Sequence, residues 1–251
     1  MKKLFAFVAA TSLAFSLLAC SDSGTSASGS RFVSDIGFND IDKVLAEVAD
    51  SEQVVFLLRH AERGEDYSPA GLLTENGVSQ SREVGQKIKT DEEAFYASSD
   101  IARTQQTCDG IAEGREEKNY QRETWQILSG DWYKKNPTLL EEKGWTTWEV
   151  ASRWAFEGGY SSGYYDLKSR SEEWLDSLRA HLPTMKRINI LVSHDFMVMG
   201  MTVYGADWQI DLRYWLNGKW INYLAGIAII IDPSGNMRFK TVRGLSTGRL
   251  Q

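Results

Sequence analysis

The chain has 251 residues, 42% of them hydrophobic and 25% charged, with a formal net charge of −6. These figures exclude a collagen-like, low-complexity or fully disordered chain and fit one large domain or two small ones. Two cysteines cannot build a disulfide framework and match no zinc-ligand spacing, and the acidic balance excludes a chain whose main work is gripping nucleic acid.

Lys2 and Lys3 precede an uncharged run over residues 4–19. That run is too short for a membrane span and suits the core of a signal peptide. It ends Leu17-Leu18-Ala19-Cys20, which resembles the lipobox of bacterial lipoproteins. The resemblance implies that residues 1–19 are removed and that Cys20 is acylated. The chain would then be a lipid-anchored protein of the cell envelope, on the periplasmic face, with Ser21 favouring the outer membrane. Residues 21–30 (SDSGTSASGS) hold no bulky apolar side chain, so 20–30 reads as an anchor and flexible tether. Removing 1–19 takes away two lysines and no acid, shifting the charge from −6 to −8. Anionic lipid repels such a body, so acyl chains must do the anchoring.

Residues 31–251 read as one domain without repeats. A short amphipathic helix is expected over 39–48, and a buried strand over 53–58 (QVVFLL). Thr74 is a plausible N-cap for a helix to about 89, along which Gly77, Ser81 and Gly85 form a small-residue stripe that predicts close packing on a sheet. A strand over 94–98 follows. Asp100 is expected to cap a helix to about 113, with Cys108 on its buried side as an inert core thiol. Ser169 and Glu172 resemble a capping box. Residues 188–192 (INILV) read as a buried strand, and 223–231 with 237–242 as a closing hairpin around Asp232-Pro-Ser-Gly. Alternating strands and helices predict an α/β fold: a mainly parallel sheet with helices on both faces.

Residues 125–166 break the rhythm. They hold Trp125, Trp132, Trp145, Trp148 and Trp154 with four tyrosines. Short helices covering the sheet and a lid over a pocket are both open readings of this aromatic-rich insertion.

The chemistry falls at strand ends. Arg59-His60 follows QVVFLL and His194-Asp195 follows INILV-Ser193, so both sites lie at the carboxyl edge of a parallel sheet, where ligands bind. Arg103 sits in the first turn of its helix, a place the helix dipole disfavours for a cation unless an anion is to be held there. His181 ends a helix on the edge of its apolar face and reads as structural.

Four segments together resemble the histidine phosphatase superfamily, which includes the phosphoglycerate mutases. Leu58-Arg59-His60-Ala61-Glu62 resembles the RHG motif with Ala for Gly. Leu73-Thr74-Glu75-Asn76-Gly77 resembles the helix that follows it. The run 98–107 resembles the segment carrying a second arginine, and Val192-Ser193-His194 the second histidine. The resemblance covers 53 to about 200 and leaves the insertion unexplained. It implies a phosphoglycerate mutase-like fold and a phosphomonoester hydrolase working through a phosphohistidine.

In that reading His60 is the nucleophile. A neutral imidazole approaches a dianionic phosphomonoester without anion–anion repulsion. Arg59 and Arg103 hold phosphoryl oxygens with planar forks, and His194 adds a donor, so no metal and no cofactor is required. Arg63 is a possible third phosphate contact. The leaving oxygen needs a proton. Asp195 is favoured for it, because the His-Asp pair resembles the acid-phosphatase branch; Glu123 and Asp131 are the alternatives in the mutase-like branch. The implied partner is a phosphorylated small molecule or sugar phosphate. The competing expectation is a phospho-ligand-binding lipoprotein of the same fold without turnover.

Overall fold

A computed structural model describes residues 37–250. The expected signal peptide, Cys20 and the tether lie outside the described residues. The chain runs β1 (Asn39–Asp40), α1 (Ile41–Ala46), β2 (Gln53–Arg59), α2 (Glu75–Lys87), β3 (Ala94–Ser98), α3 (Ala102–Arg115) and β4 (Arg122–Thr124). It continues through α4 (Pro137–Glu142), α5 (Trp148–Glu157), α6 (Leu167–His181), β5 (Ile188–Ser193) and α7 (Asp195–Gly205). It closes with α8 (Tyr214–Asn217), β6 (Trp220–Ile221), β7 (Ala225–Ile231), β8 (Met237–Arg243) and β9 (Arg249–Leu250).

Seven strands form one sheet in the order β1-β8-β7-β2-β5-β3-β4. β4, β3, β5 and β2 run parallel, β7 and β8 are antiparallel neighbours beyond β2, and β1 pairs parallel with β8. The period-two alternation of β2 explains the layers. Val54, Phe56 and Leu58 face a core completed by α1, α2 and α3; Val55 and Leu57 face one completed by α5, α6 and α7. A strand buried on both sides needs a continuous apolar run, and QVVFLL supplies it.

The expected elements are present, with three corrections. The first helix starts at Ile41, because Asn39 and Asp40 pair with Val242 and Arg243 on β8. α3 starts at Ala102 rather than on an Asp100 cap: Ser99 Oγ accepts the Ile101 N–H (3.3 Å) and the Pro69 carbonyl accepts that of Ala102 (3.3 Å). α6 is capped by Asp166, which accepts from the backbone and hydroxyl of Ser169, both at 2.9 Å. An ionised cap lies where the helix dipole favours it, so Ser169 falls inside the helix instead of opening it.

The small-residue stripe of α2 faces α3 and a loop, not the sheet. A Cβ on Gly85 would lie 2.2 Å from the Ile111 carbonyl oxygen, one on Gly114 of α3 2.0 Å from that of Arg82, and one on Gly77 2.0 Å from that of Glu62. The insertion contains α4 and α5, and Trp125, Leu128, Tyr133, Leu140, Trp154 and Tyr164 from it are buried in the core beside α6 and α7.

Candidate active site

Arg59 and Ser193 are the last paired residues of the adjacent parallel strands β2 and β5. The next residue of each chain segment is a histidine, so His60 and His194 leave the sheet side by side, ring centroids 5.7 Å apart. The His60 backbone N–H donates to the Ser193 carbonyl at 2.9 Å, and Nδ1 lies 2.7 Å from the Ala61 carbonyl oxygen. A carbonyl only accepts, so Nδ1 carries the proton and Nε2 keeps its lone pair. Burial, then the Arg59 charge, holds the His60 imidazole well below its ordinary range, so the ring is neutral at neutral pH.

Ala61 sits buried where the motif has Gly. Its N–H donates to Thr107 Oγ1 at 3.0 Å, and that hydroxyl donates to the Arg103 carbonyl at 2.7 Å. One hydroxyl on α3 thus ties the loop after His60 to the turn that carries Arg103. Glu62 latches the same loop to α2, accepting from Thr74 Oγ1 (2.8 Å) and Asn76 Nδ2 (2.9 Å) at the helix N-terminus.

His194 is fixed by a directional chain. Arg103 Nη2 lies 3.5 Å from Nδ1, so that nitrogen is an acceptor. Nε2–H then donates to Ser99 Oγ (2.9 Å), Ser99 to Thr104 Oγ1 (2.8 Å), and Thr104 to the Ile101 carbonyl (2.7 Å). The chain thus ends on backbone carbonyls, which only accept and so fix its direction. Burial, then Arg103, pulls His194 down to about 4.

Arg59 is 1% exposed. Its Nη1 donates to the Ile221 carbonyl at 2.6 Å, its Nη2 lies 3.8 Å from Asp195 Oδ2, and Tyr223 stacks 4.2 Å from its carbon centre. Arg103 Nη1 donates to the Ser68 carbonyl at 3.0 Å. The buried Nε atoms of both arginines have no hydrogen-bond partner. Buried donors without acceptors are costly, and these two lie on guanidiniums beside the paired histidines, Arg59 by His60 and Arg103 by His194, where an anion would be held. Arg63 adds to the field: its charge presses down on both Arg59 and Arg103, while its own head stacks on Tyr67 at 3.6 Å.

Beyond Arg103 and His194 opens a cavity of about 400 Å³, which Ser129, Gly130, Asp131, Lys134, Asp195 and Phe196 line. Gly130 packs closely there: a Cβ would come 3.1 Å from the His194 ring, which would have to give by a few tenths of an ångström. Asp131 faces this cavity, held by Lys134 Nζ at 2.6 Å. Glu123 does not line it. It is exposed on β4, accepting from Trp125 Nε1 at 2.7 Å, and Trp125 stacks on His181. Asp195 is in the site as an acceptor, with both Trp148 Nε1 and Trp220 Nε1 at 3.1 Å from Oδ2. Burial alone would raise its carboxyl; the Arg59 charge and the Trp220 N–H outweigh that and hold it below the ordinary range. This is the opposite of what a resident proton donor needs. Cys108 is buried, as expected, and burial raises its thiol.

Ser99, Thr104, Thr107, Trp148, Trp220 and Tyr223 were not legible as site residues. Ser99, Thr104 and Thr107 lie within the segment that carries Arg103, so their signal was proximity in sequence. Trp148 and Trp220 are distant in sequence from each other and from Asp195, which both touch, and only the high tryptophan count hinted at them.

A family model described as the histidine phosphatase superfamily (branch 1) matches residues 55–219. No curated protein sequence matches the chain. Among solved structures, the chain is similar to a phosphoglycerate mutase from Bacillus anthracis str. Sterne, at TM-score 0.51 and 14% identity, covering 76% of this chain and 93% of that one. It is similar also to the mycobacterial glucosyl-3-phosphoglycerate phosphatase, at TM-score 0.51 and 13% identity, covering 78% and 100%. A Bacillus stearothermophilus protein, YhfR, matches at TM-score 0.51 and 15% identity, covering 78% and 98%. At such identities the likeness is one of fold.

Proposed function

The chain belongs to branch 1 of the histidine phosphatase superfamily, whose members are phosphatases and mutases acting through a phosphohistidine, and from that premise we propose that it is a metal-independent phosphomonoester hydrolase of the bacterial cell envelope. The observation that carries this reading is the pairing of a neutral imidazole, its lone pair on Nε2, with two arginines whose buried Nε donors have no partner.

His60 Nε2 attacks phosphorus, forming the N–P bond as the bond to the leaving oxygen breaks. Arg59 and Arg103 take up the charge on the equatorial oxygens, supported by Arg63, and supply what a metal supplies in other phosphoryl-transfer sites. His194, neutral with its proton on Nε2, gains basicity beside the dianion, takes a second proton on Nδ1 and becomes a donor to it. The leaving oxygen takes a proton from Asp131 on the leaving-group side of the cavity, and the resulting carboxylate takes one back from the water of the next step. Water then attacks the phosphohistidine and releases phosphate and free His60. A sugar phosphate fits the 400 Å³ cavity, whose polar rim and Phe196 ring suit a hydroxylated leaving group. Residues 1–19 serve as a signal peptide and Cys20 as the acylated anchor, with 21–30 as tether and 31–251 as the catalytic domain.

Incubation with 4-nitrophenyl phosphate should give turnover that survives a metal chelator and is lost in His60→Ala. Rapid mixing with 32P-labelled substrate, followed by denaturation at alkaline pH, where phosphoramidates survive, should leave label on His60. Turnover with label elsewhere overturns the mechanism. Metabolic labelling with a palmitate analogue should tag the chain, and Cys20→Ala should remove the tag. A second reading, phospho-ligand binding without turnover, draws on the ionised state of Asp195; phosphate binding with no turnover on any monoester would establish it.

A further inference from the structure

Asp195 opens α7 in the middle of the site, and its two oxygens have different partners. Oδ1 accepts from the Phe196 backbone N–H at 3.0 Å. Oδ2 accepts from Nε1 of Trp148 and of Trp220, each at 3.1 Å, and lies 3.8 Å from Arg59 Nη2. The two indoles come from opposite ends of the chain segment between them, Trp148 from the start of α5 and Trp220 from β6. Their rings stack nearly parallel, centroids 5.3 Å apart and planes 13° from each other. Tyr214 packs edge-on against both, and Phe196 edge-on against Trp220. The N–H bonds of the stacked pair converge on one oxygen.

The neighbouring residue completes the arrangement. Trp220 holds the carboxylate, while the carbonyl of Ile221 accepts from Arg59 Nη1 at 2.6 Å and Tyr223 covers the guanidinium. Segment 220–223 therefore grips both halves of the Arg59–Asp195 pair, and both Nη atoms of Arg59 are committed while Nε is not. A proton on Oδ2 would occupy the position of an indole N–H and strand that donor without an acceptor.

We propose that Trp148 and Trp220 are positioning residues that hold Asp195 as a permanent carboxylate, whose task is to aim Arg59 at the phosphoryl group rather than to protonate the leaving oxygen. This rests on the phosphatase reading of the same site. It gives the aromatic insertion a function, since Trp148 is the insertion indole that hydrogen-bonds Asp195.

Two measurements separate positioning from proton donation. A proton donor matters most for a poor leaving group. If Asp195 were the donor, Asp195→Asn would cost far more with an alkyl phosphate than with 4-nitrophenyl phosphate. Under the proposal the fold-loss in kcat/KM is the same for both, because the defect lies in holding the phosphoryl group. A loss that grows with leaving-group basicity overturns it.

The second measurement uses Trp148→Phe, which keeps the ring stack and removes the N–H. Around Asp195 stand Arg59 and His60 at the end of β2, Arg103 on α3, its neighbour His194, and across the cavity Lys134, Asp100 and Asp131. None of them changes in this variant. Loss of a donor to the carboxylate raises the pH at which it protonates, so the acid limb of kcat/KM should move to higher pH, with KM raised about tenfold and kcat little changed. A variant with lowered Tm but an unmoved pH profile would show a merely structural indole and sink the proposal. Trp220 is fully buried, so Trp148, half-buried, is the variant expected to fold; Trp145→Phe, an insertion indole that does not touch Asp195, is the control. Calorimetry of inorganic phosphate binding across pH keeps the test independent of turnover. If the wild type binds phosphate but turns nothing over, the hydrolase reading fails, and the clamp still stands or falls on whether Trp148→Phe shifts that binding profile.

Discussion

The two histidines are both buried and both neutral at neutral pH, yet they are held in opposite tautomers, and that difference divides their work. His60 carries its proton on Nδ1 against the Ala61 carbonyl and offers Nε2; His194 carries its proton on Nε2 against Ser99 and offers Nδ1 toward Arg103. Ser99→Ala removes the acceptor that fixes the second ring. The expected result is about a tenfold fall in kcat/KM, ~1.4 kcal/mol at the transition state, with fold stability changed less than activity. Ser99→Thr, which restores a hydroxyl, should recover part of it, and steady-state kinetics on the two variants decides. Asp131 is the other residue whose role has a separable signature. If Asp131 is the proton source on the leaving-group side, Asp131→Asn should depress turnover of an alkyl phosphate at least tenfold more than that of 4-nitrophenyl phosphate. Equal losses on both substrates would remove Asp131 from that role.

At the scale of elements, the site depends on how α2 and α3 fit together, because α3 carries Arg103 and α2 receives the loop after His60. Gly85 and Gly114 let the two backbones touch, each leaving no room for a Cβ against the other helix. Gly85→Ala and Gly114→Ala should each destabilise by about 1–3 kcal/mol as overpacked contacts. Each should also weaken phosphate binding, since α3 must shift relative to α2 to make room and carries Arg103 with it. The double variant should fall short of the summed losses, because the first substitution already separates the helices. Thermal unfolding and calorimetry with phosphate check both effects. The stripe was visible in the sequence, but its partner was not: small residues every four positions announce a close approach without saying to what. The same limit applies to α3 and α6. Their existence followed from periodicity, while their first residues were set by Ser99, Pro69 and Asp166, which bind from outside the pattern. Buried strands such as β2 and β5 were read correctly because an unbroken apolar run has few alternatives.

Across the whole molecule, the four motifs were legible because each sits at the end of a regular element, and the carboxyl edge of a parallel sheet gathers such ends. The Trp148–Trp220 pair was not, because a contact between residue 148 and residue 220 leaves no local periodicity to read. Gathering the motifs also has a cost that is measurable without any substrate. The anion site buries two imidazoles beside two guanidiniums, and His194 is consequently depressed from its ordinary 6.5 to about 4. The unfolded chain takes up a proton there as pH falls below 6.5, whereas the folded chain resists until about 4. Between those values the unfolded state binds more protons, so stability is full above 6.5 and falls with pH through this window, by up to about 3 kcal/mol for His194 alone. His60, depressed for the same reason, acts with the same sign. Urea unfolding at pH 7.5 and pH 4.5 should therefore show a markedly lower midpoint at the acid value. His194→Gln, which cannot titrate, should narrow the difference between the two midpoints even though it abolishes most activity. If the variant loses as much stability on acidification as the wild type does, the buried imidazole is not what makes the fold acid-sensitive.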